Sequence, residues 1–199
     1  MSTSTAYIGA GTTLSSTYYM RSFYSKNANA RTSSARSNLS NNELSAADSL
    51  ALRRAIRSLG SFTYDDTSDS NIRNGVLAYI STYNNALSSA ADIGDHSLER
   101  YAKQMKTITK EYADELDDIG ITVNDDGTLT SRSSLFKSAD LSKFKSLFSR
   151  DSKFMQRTSA ITKRIRQRSE SLSLSEKRKE IEKSTSSLTG LGTSVDISL

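Results

Sequence analysis

One stripe constrains this chain more than any other feature. Leu98, Tyr101, Met105, Ile108, Tyr112, Leu116 and Ile119 follow one another at spacings of three and four residues, which places all seven on one face of a single helix. Such a seam has to be covered, either by helices of the same chain or by those of another, and periodicity does not distinguish the two. The 199 residues contain no proline, so the strongest helix breaker is absent and long helices are easily accommodated.

Two more helices read clearly ahead of the seam. Ser40 and Glu43 have capping-box spacing, followed by Leu44, Ala47, Ala51, Leu52, Ala55, Ile56 and Leu59 on one face, with Gly60 as the stop. After the acidic loop of Asp65, Asp66 and Asp69, a second helix aligns Ile72, Val76, Tyr79, Ile80, Tyr83 and Leu87; it carries Gly75 at a propensity cost of about 1 kcal/mol and ends at Gly94. Past the seam the period changes. Ile121-Thr122-Val123 reads as a strand, Asn124-Asp125-Asp126-Gly127 as a turn with positive φ at the glycine, and Thr128-Leu129-Thr130 as the return strand. Leu135, Phe136, Leu141, Phe144, Leu147 and Phe148 then suggest one or two short helices, and Phe154, Thr158, Ile161 and Ile165 begin a last helix running to Arg168 or beyond.

The expected fold class is therefore mainly α: an antiparallel helical bundle or coiled coil with one small β-hairpin, flanked by flexible tails. The expected organisation is a flexible polar arm over 1–39, a helical domain over 40–183 with its hairpin near 121–130, and a flexible tail over 184–199. The arm reading rests on abundant serine, threonine, asparagine and alanine with scattered arginine, in which Tyr18, Tyr19, Met20, Phe23 and Tyr24 stand out as a cluster. That aromatic cluster reads either as one helical turn that orders on a partner or as an undocked segment.

Composition narrows the function classes. With no cysteine, disulfides, thiolate nucleophiles and cysteine–zinc sites are excluded. No apolar run approaches the roughly 20 residues that span a bilayer, and Met1-Ser2-Thr3-Ser4-Thr5 has neither a basic n-region nor an apolar h-region. No transmembrane segment or cleaved signal is expected. The lone histidine, His96, sits at a helix start with no G-x-S-x-G elbow anywhere to supply a nucleophile. Gly9-Ala10-Gly11 lacks the third glycine, the strand and the lysine of a phosphate loop. An EF-hand register over Asn124–Gly127 would put Thr122 at the first ligand position and Ser133 where the bidentate glutamate belongs. The expectation is a non-enzyme with no catalytic residues, no cofactor and no metal.

Charge is uneven. Positions 150–183 carry eleven Lys and Arg against five Asp and Glu, a balance of +6, while 92–118 carry eight acids against four bases, a balance of −4. The seam helix and the last helix are thus electrostatically complementary. Arg157, Lys163, Arg164, Arg166 and Arg168 form the candidate basic surface. It reads either as a solvated flank pairing loosely with the acidic helix or as a stripe that binds nucleic acid or an anionic surface.

The run Leu116-Asp117-Asp118-Ile119-Gly120-Ile121-Thr122-Val123-Asn124-Asp125-Asp126-Gly127-Thr128-Leu129, with Tyr83-Asn84-Asn85-Ala86-Leu87 before it and Leu147-Phe148-Ser149 after it, resembles the C-terminal part of the flagellar filament-capping proteins, the hook-associated protein 2 family. The most specific piece is Ile119 to Leu129, and the likeness spans about Asn74 to Ile165. It covers neither the family's N-terminal helical motif nor its large β-rich head domains, so it concerns a helix–hairpin–helix element. What the resemblance implies is a non-catalytic, secreted bacterial structural protein of the flagellum, whose helices pack against one another and against neighbouring subunits. The partners implied are further copies of the chain or another helical, flagellin-like protein. Without that resemblance, the expectation is a cytoplasmic chain, with nucleic acid the second-ranked partner.

Overall fold

The computed structural model describes residues 16–31 and 33–189. Ahead of the first expected helix, the segment read as a flexible arm instead contains α1 (Ser16–Lys26), α2 (Ala28–Arg31) and α3 (Ser33–Arg36). Phe23 is the reason: its ring enters the hydrophobic core, and Asn27 Nδ2 donates to the Phe23 carbonyl at 2.7 Å. Arg54 ties the same segment down by donating to the Lys26 carbonyl and to Asn27 Oδ1. A composition poor in apolar residues thus hides an apolar anchor, Phe23, which these polar contacts reinforce. Residues 1–15 of the expected arm lie outside the described residues.

Ser40 starts α4 (Asn41–Leu59) through a complete capping box, with Ser40 Oγ accepting from the Glu43 amide and the Glu43 carboxylate accepting from the Ser40 amide. Asp65 caps a short 3-10 turn leading into α5 (Asp69–Ala91), and Asp95 caps α6 (His96–Glu111). The expected seam helix does not run unbroken to Ile119. It stops at Tyr112, where φ is −111° and ψ 21°, and resumes as α7 (Ala113–Asp117). The Tyr112 ring packs on Phe154, 5.2 Å between centroids, at the point where the chain turns toward the hairpin.

That hairpin is β1 (Ile121–Val123) paired antiparallel with β2 (Leu129–Ser131), Val123 opposite Leu129 and Ile121 opposite Ser131. The turn has Gly127 at φ 83°, as the sequence requires. Asn84 of α5 reads the backbone of Leu129 in both directions, donating to its carbonyl at 2.9 Å and accepting its amide at 2.8 Å. The hairpin is therefore fastened to α5. Then α8 (Ser133–Ser138) and α9 (Leu141–Phe148) fold over α5 under Arg73, whose guanidinium donates to the carbonyls of Phe136 and Ala139 and lies 5.1 Å over the Phe144 ring.

The last helix, α10 (Lys153–Thr189), has 37 residues, roughly 55 Å at 1.5 Å per residue. It packs along α4 and α6, while α5 packs against the other side of both. Its direction is opposite to that of α4: Ser169 Oγ meets Ser45 Oγ at 3.0 Å, and Glu176 reaches Asn42 near the start of α4 at 2.6 Å. Small polar residues are prominent among the buried positions of these two helices: Ser45 and Ser49 of α4, and Thr158, Thr162 and Ser169 of α10. The core itself is aromatic. Tyr79, Tyr83, Phe144, Phe148 and Phe154 are fully buried, with Tyr79 and Phe148 centroids 5.3 Å apart. The fold is mainly α with one small antiparallel hairpin.

The expected loose tail begins too early. Helix α10 continues through 184–189, and 190–199 lie outside the described residues. Serine and threonine there extend the helix while bonding backward, Ser184 Oγ to the Glu180 carbonyl and Thr185 Oγ1 to the Ile181 carbonyl.

Candidate functional site

The seam residues are spent inside the chain. Leu98, Met105, Ile108, Leu116 and Ile119 are buried in the core, and Tyr101 and Tyr112 are half-buried against it. Phe154, Thr158, Ile161 and Ile165 of α10 are buried too, so the covering stripe comes from the same molecule. Thr109, one position off the seam, is buried and its hydroxyl meets that of Tyr83 at 2.7 Å; burial pushes the Tyr83 phenol up to about 12.

The five residues of the basic surface separate once the neighbouring elements are in place. Arg157 pairs with Glu111 of α6, Arg168 with Asp95 at 2.6 Å, and Arg166 with Glu170 of its own helix at 2.7 Å. The first two join the basic helix to the acidic one. Each partner registers it: Arg157 and Arg168 are held above the ordinary arginine range by their carboxylates, and Glu111 and Asp95 are held below theirs by the guanidinium hydrogen bonds. Arg164 lines a shallow depression with Gln104 and Ile108. Lys163 faces away from that depression, into a groove between α4 and α10 shared with Arg53, Arg57 and Arg150. Sequence reasoning missed the arginines of α4, although their i, i+4 spacing puts Arg53 and Arg57 on one helical face.

A second surface is the far end of α10. Lys177 pairs with Glu43 at 2.6 Å, at the first turn of α4. Beyond that contact every residue through Ser186 is exposed; Leu174, three residues before it, and Ile181, four residues past it, are 61% and 65% exposed. They are seven residues apart, two full turns, and so share one face. Between them Glu176-Lys177-Arg178-Lys179-Glu180 sets three consecutive bases between two acids.

His96 lies at the solvent surface, 3.7 Å from Glu99. Among the described residues no group of three or more His, Asp or Glu side chains is placed to hold a metal ion, and no helix is long and apolar enough to cross a membrane. Comparison of the chain with protein-family models, with curated proteins and with solved structures finds no match in any of the three.

Proposed function

We propose that this chain is a non-catalytic structural protein that acts through helix–helix association, in the manner of the flagellar capping proteins that its 119–129 run resembles, and that α10 is the helix it presents. The observation that carries the reading is the exposed pair Leu174 and Ile181 on a helix that outruns its packing partner. A lone solvated helix of mixed charge gains little from exposing two large aliphatic side chains; the same stripe against a second copy removes them from water. The near-balanced charge from Glu176 to Lys183, three acids and four bases, suits pairing with its own kind better than binding to a polyanion. Support for the flagellar relation is the order of α6, α7, hairpin, short helices and terminal helix, which is the order of the segments in the resemblance. Export and a place on the flagellum belong to the same proposal.

Light scattering over a wide concentration range, at low and high salt, tests it. A defined oligomer that persists in salt is expected, and Leu174→Glu with Ile181→Glu is expected to give a monomer of unchanged helicity. A monomer at every concentration would remove self-association as the function.

A further inference from the structure

Two helix faces and a loop enclose a groove of about 670 Å³ on the outer side of the α4–α10 contact. From α4 it takes Arg53, Ile56, Arg57 and Gly60, which share one face; from α10 it takes Met155 and Lys163, two turns apart; Arg150 closes one end. Ile56 and Met155 make an apolar floor, each largely buried. Four cations stand around it and no carboxylate lines it. The carboxylate that acts on Arg53, that of Glu170, is already held by Arg166. Burial first, and then the positive fields of Arg166 and Arg57, lower the pKa of Arg53, and the Glu170 carboxylate offsets them only in part.

An apolar floor with a cationic rim selects among anions. The lining holds no aromatic ring on which a base could stack, and a polymer held only by phosphates leaves the floor in contact with water. A flat anionic bilayer does not reach into a concave valley. The two walls each run for about two helical turns, the length over which a third helix lies in the groove of a pair. Three of the four cations are arginines, whose planar forks grip carboxylates in pairs.

We propose that the groove between α4 and α10 binds an acidic amphipathic helix of a partner protein, its apolar stripe on Ile56 and Met155 and its carboxylates on Arg53, Arg57, Arg150 and Lys163. This surface shares no residue with the exposed end of α10, so it does not depend on self-association.

The probe is a fluorescein-labelled synthetic peptide of roughly 18 residues, long enough to hold a helix, with leucines at i, i+3 and i+7 flanked by glutamates. Its control has the same composition with the leucines spread around the helix. Measured by anisotropy on the full chain, the striped peptide is expected to bind at least ~10-fold more tightly than the control. Arg53→Gln with Arg57→Gln is expected to weaken it by ~10-fold or more. Ala160→Glu, an exposed position on the α10 wall, is expected to do the same with the circular dichroism unchanged. Leu174→Glu with Ile181→Glu is expected to bind as the parent does, which separates this site from assembly. Equal binding of striped and control peptides, tighter binding of oligothymidylate, or no binding of the striped peptide would each overturn the proposal.

Discussion

Arg168 and Asp95 are bound twice over: the guanidinium Nε lies 3.2 Å from both carboxylate oxygens and Nη2 lies 2.6 Å from Oδ2, while Oδ1 also accepts the amides of Ser97 and Leu98. One side chain therefore both caps α6 and fixes α10 against it. The two roles separate by mutation. Asp95→Ala is expected to cost about 1–2 kcal/mol through the lost cap. Asp95→Asn keeps a cap acceptor and is expected to cost less than about 1 kcal/mol, because the Arg168 side chain is 41% exposed and its pairing is screened. Urea unfolding of the two variants checks the order.

Arg36 supplies the counter-charge to Asp48, whose side chain is fully buried, at 2.5 Å, and also donates to the Ala30 carbonyl at 2.8 Å. Arg36→Ala is expected to destabilise the chain by about 3 kcal/mol, since a buried carboxylate loses its cation. Protease cleavage within 16–36 should accelerate in this variant, because the same contact docks the N-terminal helices. Cleavage at the parental rate would show that Phe23 alone holds them.

Two glycines of the hairpin region are expected to respond differently to alanine. Gly120 has φ 77°, and a Cβ there would lie 2.5 Å from the Phe136 amide nitrogen, a backbone atom with no room to retreat. Gly127 has φ 83°, but its Cβ would meet the flexible side chain of Lys106. Gly127→Ala is expected to cost about 1–2 kcal/mol, the left-handed penalty alone, and Gly120→Ala clearly more. Thermal melts of both rank them.

Stability is expected to fall at both ends of the pH scale. Hydrogen bonds from Lys177, Arg168 and Arg157 lower the pKa of Glu43, Asp95 and Glu111 respectively, and those from neighbouring hydroxyls and an amide bring Asp65 to about 2. Each lowered acid contributes stability that is present above its ordinary pKa near 4 and is lost as pH drops through the folded value, toward 2 for Asp65. The phenols have the opposite sign: burial raises Tyr83 to about 12 and Tyr79 well above the ordinary value of 10. Their contribution is complete below pH ~10 and disappears as pH climbs toward 12. Melting temperature against pH should show a plateau between, and tyrosinate absorbance should develop in two stages, the second coinciding with unfolding.

Thr109→Val is expected to cost about 1–3 kcal/mol, since it leaves the Tyr83 hydroxyl buried without the Thr109 oxygen at 2.7 Å. Tyr83→Phe in the same background should recover part of that loss, as measured by a double-mutant cycle.

Local signals determined the start of α4 at Ser40, the apolar faces of α4 and α5, the seam of Leu98, Met105 and Leu116, and the hairpin turning at Gly127. Each depends on spacings of a few residues, which the sequence displays directly. The complementary charge of the seam helix and the last helix was legible too, and Asp95–Arg168 and Glu111–Arg157 realise it. What covers the seam was decided only by the tertiary structure, because a stripe of period 3.5 is satisfied equally by a neighbour in the chain and by a neighbour in another. The docking of Phe23, the clamp of Arg73 on the Phe136 and Ala139 carbonyls, and the convergence of Arg53, Arg57, Arg150 and Lys163 also join residues tens of positions apart or more. Such contacts are set by how helices pack, and composition averaged along the chain contains no term for them.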